Sequence, residues 1–231
     1  MVKARTVPRM CSALLLIVAV CVLPIAASGA SGSLTTSFNG NVTFQGNMFD
    51  VTVQPGIDIV ITAFDINILM AAQPVPIRVY YREGGYQGYE TNAGAWTLLL
   101  DVNVTSQGTN TPTPLPLNSG LALSAGKTYG FYITVNGSHD ISEMVYMLSA
   151  SVYSDAHISI STAASLSWPL FTDPHSPRTW SGTIYYAYTE TPPQTGDEAG
   201  NALWLYILVA VLSGGTIVIL IDRWHAARHR A

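Results

Sequence analysis

The chain has 231 residues, of which only 10% are charged, and its formal net charge is −4. That length holds one domain of ordinary size with targeting segments, and the many β-branched and aromatic residues favour an all-β domain. Residues 31–191 carry eleven acidic side chains against four basic ones, a net charge of −7. A negative domain lacks the basic surface that nucleic-acid binding needs, so nucleic acid is excluded as a partner.

The first thirty residues have the three parts of a secretory signal peptide: a basic start, an apolar stretch and a small-residue end. We predict a signal peptide over 1–30, cleaved after Ser28 or Ala30, and an uncleaved membrane anchor is the alternative. Both cysteines, Cys11 and Cys21, lie within this segment. The mature chain therefore has no thiol for a disulfide, a metal site or a nucleophile.

Residues 31–190 consist of runs in which apolar and polar side chains alternate, as they do in strands. One run begins at Trp96, and every second side chain from there through Val104 is apolar. In the run 57–68 the alternation changes phase, which predicts a bulge near Thr62. One-sided alternation is typical of an antiparallel sheet with one face in water. The pattern predicts a two-sheet antiparallel β-sandwich, jelly-roll-like or immunoglobulin-like.

Clusters of glycine, asparagine and proline separate these runs. The segment Asn118-Ser119-Gly120 predicts a turn, and residues 109–116, which include three prolines, predict a loop or an edge strand. No segment of the ectodomain has the apolar period of a helix, which strengthens the all-β prediction.

Several short segments between residues 38 and 186 form a recognisable pattern: FDVTV, ITAFDINI, IRVYYREGGYQGYE, AWTLL, YGFYITV and PRTWSGTIYY. Together they resemble a domain of unknown function that occurs in secreted bacterial proteins with varied C-terminal anchors. The resemblance implies a surface-exposed domain. It supplies no activity and no site.

The C-terminal part consists of a linker, an apolar run and a basic end. Residues 203–221 are nineteen residues without a charge, just enough at about 1.5 Å per residue to cross a bilayer core as a helix. Arginines after this run place the chain end in the cytoplasm. We therefore predict a linker over 191–202, a transmembrane helix over 203–221 and a basic cytoplasmic tail over 222–231.

The linker contains Pro192, Pro193, Gln194, Thr195 and Gly196, followed by an aspartate. This order resembles the LPxTG cell-wall sorting signal of Gram-positive surface proteins, with proline in place of leucine. The resemblance implies a sortase, whose cysteine thiolate attacks the threonine carbonyl, and transfer of the protein to a peptidoglycan amine. The expected location is the extracellular surface, anchored to the cell wall. The alternative is a single-pass type I membrane protein that keeps its helix.

Three aromatic residues are candidates for ligand binding. Tyr86 and Tyr89 lie among glycines near a predicted hairpin end, and Trp180 follows a second polar loop. Flat aromatic rings suit stacking on sugars or burial in a protein interface. We therefore predict adhesion to a glycan, or to a host or neighbouring surface protein. The alternative for the tyrosines is that they pack back over the edge of the sandwich.

The sequence offers no catalytic motif, since it has no nucleophile elbow, HExxH or glycine-rich phosphate loop. Glu83 and Glu90 flank the aromatic loop, so a glycan-cleaving enzyme is a further alternative. Asp155 with His157 resembles a fragment of a metal site but does not complete a coordination shell. We predict no catalytic residue, no metal site and no cofactor, and a binding or structural role.

Overall fold

The computed structural model describes residues 29–137 and 143–189. The signal peptide, the sorting motif and the transmembrane helix lie outside these residues. The described ranges contain one 3₁₀ turn, Ala93–Ala95, and no helix in them is long and apolar enough to cross a membrane. The strands are β1 Gly29–Thr35, β2 Val42–Phe44, β3 Gly46–Val53, β4 Ile59–Ile66, β5 Ala71–Glu83, β6 Thr97–Gln107, β7 Thr113–Leu123, β8 Thr128–Val135, β9 Met144–Tyr146, β10 Tyr153–Ser154, β11 Ile158–Ile160, β12 Ala163–Ser167, β13 Thr172–Arg178 and β14 Gly182–Thr189.

Two antiparallel sheets share one apolar core. The smaller of these two has the strand order β1-β14-β4-β7, and the larger has β10-β11-β3-β8-β5-β6, with β12 pairing β3 and β13 pairing β12; β2 and β9 form a separate two-stranded sheet. Phe64 and Ile184 of the smaller sheet and Phe49 and Phe131 of the larger belong to the same buried cluster. The prediction of an all-β, antiparallel, sandwich-like domain is confirmed.

The phase change in β4 has the predicted cause. The register of β4 with both of its neighbours shifts between Ile61 and Ala63, so Thr62 forms a bulge. A bulge inserts one residue and so exchanges the two faces of a strand. Ile61 before the bulge and Phe64 after it are therefore both buried in the core.

The alternation predicted from Trp96 fails at the start of this run, because Trp96 packs in the cluster on the outer face and not with Leu100 on the core. The register of β6 with β5 shifts at Leu99, which has no partner in β5. Beyond this bulge Leu100 packs against the core as predicted, but Leu98 on the other side is 48% exposed. The prediction for Leu98 is wrong because the bulge turns the strand by one residue.

β7 includes the proline-rich segment and also the predicted turn. It is an outer strand of the smaller sheet, as expected for Pro114 and Pro116, which have no N–H to donate. Pairing with β4 passes from Pro116 directly to Leu121, so residues 117–120 lie opposite Thr62 alone. The turn prediction is wrong because these four residues form a bulge within one continuous strand.

The outer face of the larger sheet is covered along β8, in contrast to the face in water that the alternation predicts. All residues of β8 after Thr128 are buried. The rings of Trp96 and Phe171 lie edge-on against Tyr132 of β8, with centroids 6.4 and 5.0 Å away. These rings belong to a second apolar cluster, the outer cluster, which consists of Met48, Tyr86, Trp96, Tyr132, Ala164, Leu166 and Phe171.

Candidate functional site

The first and last described residues lie at the same end of the sandwich. β1 and β14 pair antiparallel with Gly29 opposite Thr189, and we call this the proximal end. At the other, distal end, Thr35 pairs with Thr183, and Ile66 pairs with both Gly182 and Thr113. The connections over residues 36–41, 67–70 and 108–112 follow or precede these strand ends. They therefore lie opposite the end where the chain enters and leaves the domain.

A groove of about 530 Å³ opens at the proximal end. Its lining comprises Gly56, Ile57, Asp58, Ile59, Val60, Ala122, Ala125 and Thr189. The one charged group among them is the carboxylate of Asp58, and its Oδ1 accepts a hydrogen bond from the Ala125 N–H at 2.8 Å. The groove thus offers a mostly uncharged wall beside Thr189.

The loop between β5 and β6 folds over the outer face of the larger sheet. Asp50 Oδ1 accepts the Tyr86 N–H at 2.8 Å, and the Tyr86 hydroxyl donates to the Thr162 carbonyl at 3.3 Å. The Trp96 indole N–H donates to the Tyr89 carbonyl at 2.9 Å. Tyr86 is only 3% exposed. Its ring is a packing residue of the outer cluster, so the prediction that Tyr86 binds a ligand is corrected in favour of the alternative.

Tyr89 keeps an exposed ring, with 40% of the residue accessible. The Arg82 guanidinium lies over that ring, 3.6 Å from its centroid, and also donates to the Gly85 carbonyl. Burial raises the pKa of Asp50 beneath this loop, while the Tyr86 N–H and the Arg82 charge oppose the rise. Of the three predicted aromatic residues, Tyr89 alone presents a ring to solvent, and Arg82 occupies one side of it.

Trp180 is fully buried between the two sheets. Its ring stacks on Phe49 with centroids 4.4 Å apart and meets Phe64 edge-on at 6.4 Å. A Cβ on Gly182 would lie 2.3 Å from the indole ring, so glycine at that position makes room for the tryptophan. The prediction that Trp180 contacts a ligand is wrong, because the segment before β14 crosses the core and does not form an outer loop.

Asp155, His157 and Tyr186 form a polar cluster. The Tyr186 hydroxyl donates to Asp155 Oδ2 at 2.6 Å, and Oδ1 accepts the N–H groups of His157 and Ile158 at 2.8 Å each. Burial, and then the Asp155 carboxylate, raise the pKa of Tyr186, so the phenol remains a donor. His157 Nδ1 lies 3.2 Å from the same hydroxyl, and the Tyr188 ring lies 4.0 Å from the imidazole.

This cluster joins the two sheets, because Asp155 and His157 belong to the β10–β11 hairpin and Tyr186 belongs to β14. Both carboxylate oxygens already accept hydrogen bonds, which leaves the Asp155 side chain committed to this contact. Within the described ranges no group of three or more His, Cys, Asp or Glu residues is placed to hold a metal ion. The arrangement performs a structural task at the edge of the sandwich.

No pattern in the sequence pointed to Asn67, which organises the distal end. Its amide Nδ2 donates to Asn110 Oδ1 at 3.0 Å and to Ser181 Oγ at 2.9 Å, while its Oδ1 accepts the Asn110 N–H at 2.8 Å. Asn67 is fully buried and so fixes its own connection to the two that contain Asn110 and Ser181. Leu69 and Met70 follow at once with exposed side chains, which makes the distal end an ordered surface that carries apolar groups.

Comparison with known proteins identifies no family. A scan against protein-family models finds no match, and no curated protein matches in sequence. Among solved structures, the infectious bursal disease virus VP2 subviral particle is similar at a TM-score of 0.27 and 11% identity, over 84% of this chain and 53% of that one. A structure of the Gx strain of the same virus is similar at a TM-score of 0.24 and 9% identity, over 86% of this chain and 53% of that one. The chain thus spans about half the length of these viral proteins.

Proposed function

We propose that this protein is a binding or structural component of a Gram-positive cell surface, attached to peptidoglycan by a sortase that cleaves after Thr195. The observation that supports this is the pairing of Gly29 with Thr189. β1 begins directly after Ser28, one of the two predicted cleavage positions of the signal peptide. Both predicted processing segments therefore adjoin the same end of the sandwich, which leaves the opposite end free of them.

The linker sets how far the domain stands from its anchor. Before cleavage, residues 190–202 separate β14 from the predicted transmembrane helix, and fully extended they reach roughly 45 Å. After cleavage behind Thr195, residues 190–195 remain between β14 and the wall and reach roughly 20 Å. Pro192 and Pro193 favour an extended approach to the proposed scissile bond, because proline restricts both its own φ and the residue before it. Gly196 has no side chain to obstruct the sortase.

In this arrangement the distal end faces away from the wall and makes the contacts of the protein. Its connections are held by the buried Asn67, and function in β domains commonly resides on loops that a rigid scaffold positions. Leu69 and Met70 supply exposed apolar area there. We propose adhesion, to a glycan or to a protein of a host or neighbouring surface, as the role of this end.

The test is the location of a Thr195→Ala variant expressed in a Gram-positive host that has a sortase. Muramidase digestion should release wild-type protein that lacks residues from 203 onward, whereas the variant should stay in the membrane fraction with its helix. Thr191→Ala, a threonine just outside the motif, is the matched control and should be released like wild type. Peptidoglycan-linked Thr195→Ala would contradict the proposal. Wild type that keeps its helix in the membrane would establish the single-pass alternative.

A further inference from the structure

In the described part of the chain the two sheets have five outer strands, β1, β6, β7, β10 and β13, and β6 is the longest of them that lacks a proline. β7 and β13 each contain two prolines, β10 has only two residues, and β1 has seven. β6 has eleven residues and contains neither proline nor lysine, the residues that commonly protect an outer strand, and beyond its bulge at Leu99 it pairs regularly with β5 as far as Thr105. Its free edge is a template for pairing with another strand.

One hydrogen bond of β5 shows which residues of β6 turn their backbone N–H and C=O groups away from β5. The Pro76 carbonyl accepts the Asn136 N–H at 2.8 Å, so the backbone of residue 76 faces β8. Successive residues of a strand face opposite sides, so the Ile77 backbone faces β6, where its partner is Val102. The residues next to Val102 in β6 therefore turn their N–H and C=O groups outward. These are Asp101 and Asn103, and by the same alternation Thr105.

The three outward residues lie on an accessible edge. Asp101, Asn103 and Thr105 are all exposed, and within the described ranges β6 pairs with β5 alone. Between them, Val102 and Val104 are half-buried at the rim of the core. Among the outward groups, the Thr105 carbonyl accepts a hydrogen bond from the exposed Gln107 side-chain amide at 3.1 Å, which strand pairing would replace. The edge therefore combines outward backbone groups with β-branched side chains whose burial is incomplete.

We propose that β6 pairs antiparallel with β6 of a second copy of this protein, around a two-fold axis through Asn103. An isologous contact of this kind satisfies the same edge on both copies. In this register Asn103 lies opposite Asn103 of the second copy, and Asp101 lies opposite Thr105. The outward groups then form six backbone hydrogen bonds across the axis.

Charge and packing favour this register. Asp101 already pairs with Arg78 of its own chain at 2.8 Å, and the register places a threonine opposite it and not a second carboxylate. This matters because like charges directly opposite each other destabilise a strand pair, and the domain is net negative. On the inner face, Val102 meets Val104 of the second copy, which completes the burial of both.

This inference rests on the proposed function, because attachment to one wall is what makes the strand pairing populated. A contact along one strand edge is small compared with stable interfaces and forms only weakly between free molecules. Copies anchored in one wall meet at high local concentration, which converts a weak contact into a populated one. The pairing would then link neighbouring copies side by side, with their sheets continuous.

The first test is a disulfide across the axis, formed by Asn103→Cys in the full-length chain on intact cells. The mature chain has no cysteine of its own if the signal peptide is removed. In a hydrogen-bonded antiparallel pair the two Cα atoms lie about 5.5 Å apart, within the range of a disulfide. Mild oxidation should give a band of twice the monomer mass on a non-reducing gel. Ser119→Cys, on the exposed bulge of β7, is the matched control and should not give it.

The second test examines the register through Thr105, whose exposed side chain lies opposite Asp101 of the second copy. In the Asn103→Cys background, Thr105→Lys should raise the yield of the cross-link and Thr105→Asp should lower it. Each change acts twice across the two-fold axis, so we expect a change of about two- to thirtyfold in the pairing equilibrium. Opposite effects of two exposed substitutions at one position cannot arise from misfolding. Equal yields would overturn the register and the proposal with it.

Repeating the cross-link in the Thr195→Ala background separates the two proposals, because that variant keeps its membrane helix. Homodimers in both backgrounds support the pairing, whatever muramidase releases. If muramidase releases the wild type but neither background gives a homodimer, the pairing is wrong and the sorting proposal stands. A cross-link to a protein of another mass, without the homodimer, also overturns the proposal, because a different partner then occupies the edge.

Discussion

Replacing Trp180 by alanine should destabilise the domain more than any change on its surface. Trp180 is the largest of the fully buried side chains, and it lies between Phe49 of one sheet and Phe64 of the other. Truncation removes the apolar contacts of the indole and leaves a cavity that the two sheets close only in part. We therefore expect the two sheets to lose their principal aromatic contact.

The magnitude follows from opposing contributions. A buried tryptophan replaced by alanine typically costs about 3–5 kcal/mol, and each lost aromatic pair adds about 0.5–1.5 kcal/mol. The indole N–H of Trp180 has no hydrogen-bond partner among the described residues. Removing an unpaired buried donor returns about 1–3 kcal/mol, so the net cost is about 3–5 kcal/mol. Trp180→Phe keeps the stacking and also removes that N–H, so it should cost only about 1–2 kcal/mol.

The assay is urea unfolding of the mature domain, followed by circular dichroism. Leu148→Ala is the control, because Leu148 is a large apolar residue that is 59% exposed, and it should change the free energy of unfolding by about 0.5 kcal/mol or less. A Trp180→Ala midpoint close to that of Leu148→Ala would refute the reasoning. So would a Trp180→Phe variant as unstable as the alanine variant.

Two further predictions concern ionisable groups. Burial raises the pKa of the Asp50 carboxyl, so the folded state binds the carboxyl proton more tightly than the unfolded chain does. The stability that the protonated carboxyl contributes is therefore lost as the pH rises from about 4 through the raised pKa. Asp50→Asn keeps an acceptor for the Tyr86 N–H and does not titrate, so the variant should be more stable relative to wild type at pH 7 than at pH 4. An equal difference in the free energy of unfolding at both pH values would contradict this. Tyr186→Phe removes the donor to Asp155 Oδ2 and should lower the unfolding free energy by about 1–2 kcal/mol in urea titrations; a change no larger than that of the exposed Tyr185→Phe would argue against a structural role for this cluster.

The sequence alone determined the class of the domain and several local features. Alternating side chains predict antiparallel strands, and the phase change at Thr62 predicts a bulge that the structure contains. Pro114 and Pro116 predict an edge, because neither has an N–H for a second neighbour. These predictions succeed because each depends on residues adjacent in the chain.

Only the tertiary structure decided what covers each face. Alternation along β8 distinguishes its two sides, but Phe171 and Trp96, from distant parts of the chain, bury the side that the pattern assigns to water. The same long-range packing buries Tyr86 among the outer cluster. A local pattern records which side of a strand is apolar and contains nothing about the segment that later packs there.

The candidate contact surfaces also depend on such distant pairings. Trp180 lies in a segment that resembles a polar loop, yet the path into β14 carries its ring between the sheets. Asn67 meets Asn110 and Ser181 only because three connections converge at the distal end. The open edge of β6 exists because β6 is the last strand of its sheet. Strand order is set by pairings between residues far apart in sequence, and no periodicity within a single strand encodes them.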